Sequence, residues 1–459
     1  MNRNVNLLEG KIFPALTSLA LPIMLTALVQ MAYSLTDMIW IGRLSAGAVA
    51  AVGASSMFGW LSRGMGIVAS MGGQVLVAQK LGAGDQKEAV SFARLAIQMG
   101  VFFSVLFGFF TVFFNRPLIG FFRLNAASVV ADARIYLIIT CGLVIFSVLN
   151  QILTGLLTAM GNSRTPFLVN AAGMTLNILL DPLLIFGAGP VPAMGVSGAA
   201  VATVGSQAFV FLLFVLSIRR EPVIFSKISL LRKPDSHRIR VLVRIGLPSA
   251  LQNMAFSAIS MYIARMIAGW GDAAVAVQKV GSQIESISWM TADGFSAAVN
   301  AFVAQNFGSG NRSRIRQGYR ISMAVVTVWG IFCTLVLFLL PGPIFQFFIP
   351  DATVLPMGIQ YLKILSLSQL FMCVEITTAG AFSGLGKTLP PSLVGILFTS
   401  ARIPAATVLM STSLGLNGIW WSITVSSILK GVLLFLWFLL FERSFFGSER
   451  QKRTLRSCR

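Results

Sequence analysis

The sequence predicts an all-α integral membrane protein: twelve transmembrane helices in two six-helix bundles related by a parallel internal repeat. Three observations predict it. First, the chain is 56% hydrophobic and only 11% charged, with a mean hydropathy of +0.81, whereas a soluble protein carries roughly 25% charged residues. Second, twelve apolar stretches each reach the length of about 20 residues that a helix needs to cross a bilayer. Third, the chain is written twice. VAQKLGAGD at 77–85 returns as VAQNFGSGN at 303–311, and ALPIM around Pro22 returns as GLPSA around Pro248, both with a shift of 226. AMGNSRTP, ending at Pro166, returns as GLGKTLPP, ending at Pro391, with a shift of 225.

The spans follow in order. The first, 12–41, starts after Lys11 and is too long for a cleavable signal peptide. The rest of the first half reads 48–78, 88–114, 133–158, 164–188 and 194–218. The second half reads 242–268, 274–304, 314–340, 355–381, 387–413 and 416–441. These give a bundle over 1–218, a basic linker over 219–241, a second bundle over 242–441 and a basic tail over 442–459. Six spans per half is even, so both halves enter the membrane from one side and the repeats are parallel, not inverted. Pro22 and Pro248 fall inside the first helix of each half. Proline lacks the amide donor and crowds the preceding turn, so a kink is expected at each, read equally as static packing or as a hinge.

The net charge of +20 is positional. Lys80, Lys87, Arg164, the linker (Arg219, Arg220, Lys227, Arg232, Lys233, Arg238, Arg240), the run Arg312 to Arg320, Lys387 and the tail (Arg450, Lys452, Arg453, Arg456, Arg459) occupy alternate loops. Arg116, Arg123 and Arg134 are the main exceptions. This is the positive-inside pattern; it argues against nucleic acid as a partner and expects both termini in the cytoplasm. Cys141, Cys333 and Cys373 lie in apolar runs and read as packing residues, and no metal-ligand spacing involves them or Cys458. His237, the single histidine, sits in the polar linker and reads as solvated. No nucleophile–base pair is evident, so an enzyme is not expected, nor is a cofactor.

Five acids fall inside spans: Asp37, Asp181, Glu285, Asp293 and Glu375. A charged group there costs at least about 2.5–3.5 kcal/mol, which makes each a functional candidate. Gln30, Tyr33 and Asp37 share one helix face, as do Asn177 and Asp181. Helix direction places Asp37, Asp181 and Thr203 in the outer half of the bilayer and Asn150 nearer its middle. An acid pair with amide and hydroxyl neighbours suits a proton or a small hard cation such as Na⁺. The plainer alternatives are a snorkelling Asp37, an Asp181 that partners the Pro182 kink, and packing contacts for Asn177 and Thr203. Glu285, Asp293 and Glu375 have no partner legible in sequence; Lys279 and Arg402 lie in the same half and are candidates to neutralise one of them in a structural ion pair. Across the repeat, Asp37 corresponds to Ile263, and Asp181-Pro182 falls near Ile403-Pro404. If function is asymmetric, the first half carries the acid site, and a second ion site at Glu285, Asp293 or Glu375 stays open. Met31, Met57, Trp60, Met65, Trp289 and Met290 lie on segments expected to border a central cleft, where thioethers and aromatic faces suit flat cations.

A duplicated, very apolar chain points to a secondary transporter. The chain resembles the multidrug and toxic compound extrusion (MATE) family, in its prokaryotic DinF-type branch. The resemblance rests on Leu21-Pro22, YSLTDMIWIG with Tyr33 and Asp37, VAQKLGAG at 77–84, AMGNSRTP at 159–166, NILLDP at 177–182 and GAAVAT at 198–203. It implies export of amphipathic, mostly cationic compounds in exchange for H⁺ or Na⁺ across the inner membrane of a prokaryotic cell, by a protein expected to act as a monomer. It also implies a proton or cation site at Asp37 and Asp181, with Tyr33, Asn177, Thr203 and Asn150 nearby, and first-helix bending at Pro22. An essential acid on helix ten of another branch resembles Glu375. With Gln30, Glu285, Asp293 and Glu375, the methionines and tryptophans above make up the expected substrate cavity. The competing expectation is a lipid-linked oligosaccharide flippase of the same superfamily, kept open by Arg63, Arg265, Lys279 and Arg402.

Overall fold

The structure, a computed structural model, describes residues 4–122, 126–187, 189–190, 192–219, 221, 224–230, 232–348 and 354–457. Arg123, Arg220, Cys458 and Arg459 lie outside the described residues, as do the side chains of 445–457, including Arg450, Lys452, Arg453 and Arg456. Every regular element among the described residues is helical. The first half comprises α1 (Ile12–Leu44), α2 (Ala46–Gly82), α3 (Gln86–Phe113), α4 (Asn115–Gly120), α5 (Ala127–Gly142), α6 (Ile145–Ala159), α7 (Arg164–Phe186) and α8 (Val196–Ile218). A 3₁₀ turn at Phe225–Lys227 marks the linker. The second half comprises α9 (Ser236–Ala268), α10 (Asp272–Gly308), α11 (Arg312–Leu339), α12 (Pro341–Phe348), α13 (Leu355–Gly384), α14 (Leu389–Ser400), α15 (Arg402–Met410) and α16 (Leu416–Ser457).

The repeated motifs are helix punctuation. VAQKLGAGD ends α2, turns at Gly84 with φ of 75°, and caps α3 with Asp85, whose carboxylate accepts from the Glu88 amide at 3.1 Å. VAQNFGSGN does the same with Gly310 at φ of 74° and Asn311 accepting from the Arg314 amide at 3.1 Å. Only glycine adopts that backbone without strain, and Asp and Asn are preferred caps. The duplication carries through to the helix ends: Ala46–Gly82 and Asp272–Gly308 are offset by 226 at both ends.

Each of the twelve predicted spans coincides with one long helix or one broken pair. Span 133–158 was expected as one helix but is divided into α5 and α6, bent by 42° at 143–144. Span 387–413 is divided at Ala401 into α14 and α15. By length and composition, eight helices are apolar enough to cross a membrane, nine with the bent pair counted as one, among the described residues. The three that fall short are α2, α9 and α10. They have the length, at 37, 33 and 37 residues, but their apolarity is diluted by groups such as Arg63, Arg265, Lys279, Glu285 and Asp293.

Packing sorts the chain into two compact units. One holds 25–250 with the first residues of the chain; the other holds 6–24 and 251–459. The predicted bundle boundaries follow the polar linker, whereas these units follow contacts, and the start of each bundle's first helix belongs with the other unit. Both changes of unit fall two residues beyond a helical proline, Pro22 in α1 and Pro248 in α9, and both helices continue through it. In the first unit, Gly246 of α9 lies against the Val68 backbone of α2, where no Cβ would fit. In the second, the segment before α1 is strapped down by Asn306 Nδ2, which donates to the Leu7 carbonyl at 3.0 Å, and by the Arg314 guanidinium, which donates to Leu7, Glu9 and Gly10 carbonyls.

Candidate functional site

Within the first unit, α1, α7 and α8 bring polar residues to one place. Asp37 and Tyr33 sit one helical turn apart on α1, Asn177 and Asp181 one turn apart on α7, and Thr203 lies on α8. Asp181 is fully buried and Asn177 is 2% exposed. The Asp37 and Asp181 carboxyls lie within hydrogen-bonding reach of each other. α7 holds this arrangement unbroken through Pro182.

The polar atoms here are left incomplete. Asp37 Oδ1, both Asp181 oxygens, both Asn177 amide atoms, Thr203 Oγ1 and Ser206 Oγ are buried without a closed hydrogen bond to any described residue. No ion pair to either aspartate occurs among the described residues. Buried polar groups are almost always satisfied, and each exception needs an explanation. Beside them lies a cavity of about 20 Å³, lined by Tyr33, Asn177, Thr203, Gln30, Ser206 and Gln207 among others. That volume holds roughly one water molecule. The arrangement can take up one proton or one small cation and supply it with oxygens. Among the described residues, no group of three or more His, Cys, Asp or Glu side chains gathers as for a metal ion.

Asn150 stands one step back. Its Nδ2 donates to the carbonyl and to Oε1 of Gln207, both at 2.9 Å, and Gln207 lines the cavity. Sequence reasoning missed Tyr136 on α5. It is buried among Ile41, Val52, Ile185 and Val196. Its hydroxyl approaches Thr203, as does that of Tyr33, and it senses Asp37. The available signal was a phenol inside the apolar run ARIYLIIT.

The other predicted residues are spread out. Gln30 lines the small cavity, while Met31, Met57, Trp60 and Met65 do not. Met57 and Trp60 are exposed on the first unit, and Arg63 stacks over the Trp60 ring at 5.6 Å. In the second unit Trp289 and Asp293 are exposed and Met290 is half-buried. Glu375 on α13 is buried and paired with Lys430 of α16 at 3.0 Å. Of the candidate neutralising bases, neither Lys279 nor Arg402 makes that ion pair, although Arg402 lies near enough to Glu285 and Glu375 to feel both charges. Arg402 instead donates from Nε to Ser426 Oγ at 2.6 Å and from Nη2 to Ser427 Oγ at 3.0 Å. Glu285 accepts from Gln369 Nε2 at 3.4 Å, and Gln369 is fully buried.

Comparison with known proteins agrees with this architecture. The sequence model of the MatE family matches residues 22–183 and 248–408, so its two copies begin at Pro22 and Pro248. The chain is 33% identical over 434 residues to a probable multidrug resistance protein NorM of Thermotoga maritima, covering 92% of this chain and 91% of the relative. It is 25% identical to an FAD transporter of Shewanella oneidensis, covering 93% and 94%. A crystal structure of MATE in the bent conformation superposes with a TM-score of 0.89 at 22% identity, covering 98% of this chain and 99% of that one.

Proposed function

Because this chain belongs to the MatE family and is therefore a multi-pass membrane transporter and not an enzyme, we propose that it exports amphipathic, mostly cationic compounds by antiport, with H⁺ as the coupling ion and Asp37 and Asp181 as the exchange site. Relatives named for multidrug resistance support drug efflux. Those described above, named for multidrug resistance and for FAD transport, do not favour the flippase reading.

One observation carries the assignment of the site. Two aspartates lie within hydrogen-bonding reach of each other, with no ion pair to either among the described residues and with incomplete hydrogen bonding. Like carboxylates this close do not both remain ionised in a low dielectric, so one proton shared between them is the natural resting state. A proton taken up from outside discharges the pair, and its release to the cytoplasm restores the charge. Conformation shifts only as far as proton and drug bind the two states unequally. A bound organic cation favours the ionised acids, and proton binding favours its release. The drug need not touch the aspartates, since α1 carries both Asp37 and Pro22 and continues unbroken between them. Exposed Met57, Trp60 and Trp289 offer thioether and aromatic surface to flat cations. The basic loops support a cytoplasmic side for the linker and for both ends of the chain.

Na⁺ is the second reading. Tyr33, Asn177 and Thr203 line a cavity for one small species and would add neutral oxygens to the carboxylates. The two readings separate in proteoliposomes at fixed pH with the proton gradient dissipated by an uncoupler. Efflux is expected to stop. Full transport restored by an imposed inward Na⁺ gradient would overturn H⁺ as the coupling ion.

A further inference from the structure

A second concave site lies in the first unit, away from the aspartates. It is a cavity of about 570 Å³ where the start of α3 meets the linker, lined by Asp85, Lys87, Arg94, Lys227 and Arg232 with Gly84, Gln86, Val90 and Ser91. Ligand pockets for small molecules run from about 300 to 1,000 Å³. Its charge is one-sided, with four bases against one acid, and that acid is already occupied in capping α3 through the Glu88 amide.

Arg94 is the decisive residue. It is 7% exposed, and its Nε is buried without a hydrogen-bond partner among the described residues. The neighbouring Arg238 shows what a satisfied arginine looks like here, pairing with Glu88 at 2.7 Å and Asp235 at 3.0 Å. Those two acids are thereby used up, and Arg94 instead feels the like charges of Arg232 and Arg238. A buried guanidinium beside other cations is costly unless an anion is supplied. The linker is meanwhile held in place by Gln98 Nε2, which donates to the carbonyls of Leu230 at 2.7 Å and Arg232 at 2.9 Å. The site is thus built, cationic and short of an anion.

We propose that this cavity binds a phosphate group, with Arg94 as its buried anchor and Lys87, Lys227 and Arg232 closing over it from α3 and the linker. A guanidinium presents a planar fork of donors that fits phosphate oxygens in pairs. The bound group would relieve the repulsion between Arg94 and Arg232 and fasten the linker to α3. Two sources share this chemistry, the headgroup of an anionic phospholipid and free phosphate. The basic loops put this end of α3 on the face where anionic lipids concentrate.

The test uses the full-length protein in neutral detergent and measures binding of short-chain phosphatidylglycerol, phosphatidylcholine and inorganic phosphate at matched ionic strength. Saturable binding of phosphatidylglycerol over phosphatidylcholine is expected, weakened about fivefold by each of Lys227→Gln and Arg232→Gln, in line with roughly 1 kcal/mol per basic residue. Arg94→Gln should weaken it more. The two linker variants are exposed positions and keep the test sound should the buried substitution fail to fold. Saturable phosphate binding that the same variants weaken supports the site with a free anion as its source. Equal binding of both lipids with no phosphate binding overturns the proposal, and so does phosphatidylglycerol binding unchanged in a Lys227→Gln/Arg232→Gln double variant.

Discussion

The two units bury charge in opposite ways. In the second, Glu375 has Lys430 at 3.0 Å, and Arg402 is seated on Ser426 and Ser427, so two acids, Glu285 and Glu375, share a helix cluster with two bases. In the first, Asp37 and Asp181 have each other and no base in ion-pair contact among the described residues. The duplicated fold thus pairs the buried Glu375 with a base in one copy and leaves two neighbouring aspartates without an ion pair, among the described residues, in the other. Under the proposed function, the acids without an ion-pair partner are the ones that draw a cation from solution and release it. The backbone differs as well. α7 runs whole through Asp181-Pro182, while the corresponding stretch breaks at Ala401 into α14 and α15, just before Arg402.

The largest expected effect comes from removing the uncompensated charge. Asp37→Asn keeps the size of the side chain and abolishes its titration, so drug efflux should fall to the level of protein-free vesicles while membrane insertion and detergent-solubilised folding persist. Normal gradient-driven efflux by a well-inserted variant would break the contrast between the units.

The acids also make a claim about each other. If they share one proton, they titrate as a pair and not as two residues. Asp181→Asn should therefore cost about as much transport as Asp37→Asn, and the double variant no more than either. Additive losses, each partial alone, would show two independent sites.

Much of this contrast was legible in the sequence. Asp37 and Asp181 stand out because an acid in an apolar run is costly, and helical spacing put Tyr33 and Asn177 on their faces. Glycine and cap residues in the repeated motifs fixed where α2 and α3, and later α10 and α11, stop and start. Partners from distant helices were not legible. Lys430 lies 55 positions beyond Glu375, and nothing local says that α16 packs on α13. Tyr136 was passed over because one phenol in an apolar helix has no periodic mark. The bend between α5 and α6 carries no proline, the usual sign of a broken span.

A smaller effect, on stability, tests the second unit. Lys430→Met leaves Glu375 buried and unpaired, and breaking a buried pair in this way costs about 3–5 kcal/mol. Melting of the purified protein should report the loss, and Lys430→Met/Glu375→Met should recover most of it, because two apolar side chains leave no orphan charge. Efflux by the double variant should stay near normal. Transport lost in the double variant despite recovered stability would mean that Glu375 and Lys430 also serve ion exchange, and the units would then be alike in function.

The smallest effect sharpens the edge of the first site. Tyr136→Phe removes one hydroxyl near Thr203 and Asp37 and leaves the ring to fill its place among Ile41, Val52, Ile185 and Val196. Should the hydroxyl close a hydrogen bond only when the ion is bound, its loss costs about 1 kcal/mol, or roughly a fivefold change in affinity. Maximal efflux should survive, since the aspartates remain, while the concentration of coupling ion that gives half-maximal efflux should rise by about that factor. A purely structural role would lower the melting temperature and leave that concentration unmoved. The same measurement on Tyr33→Phe then decides whether the site is closed from α1 or from α5, because both phenols approach the one Thr203 hydroxyl and only one of them need follow the ion.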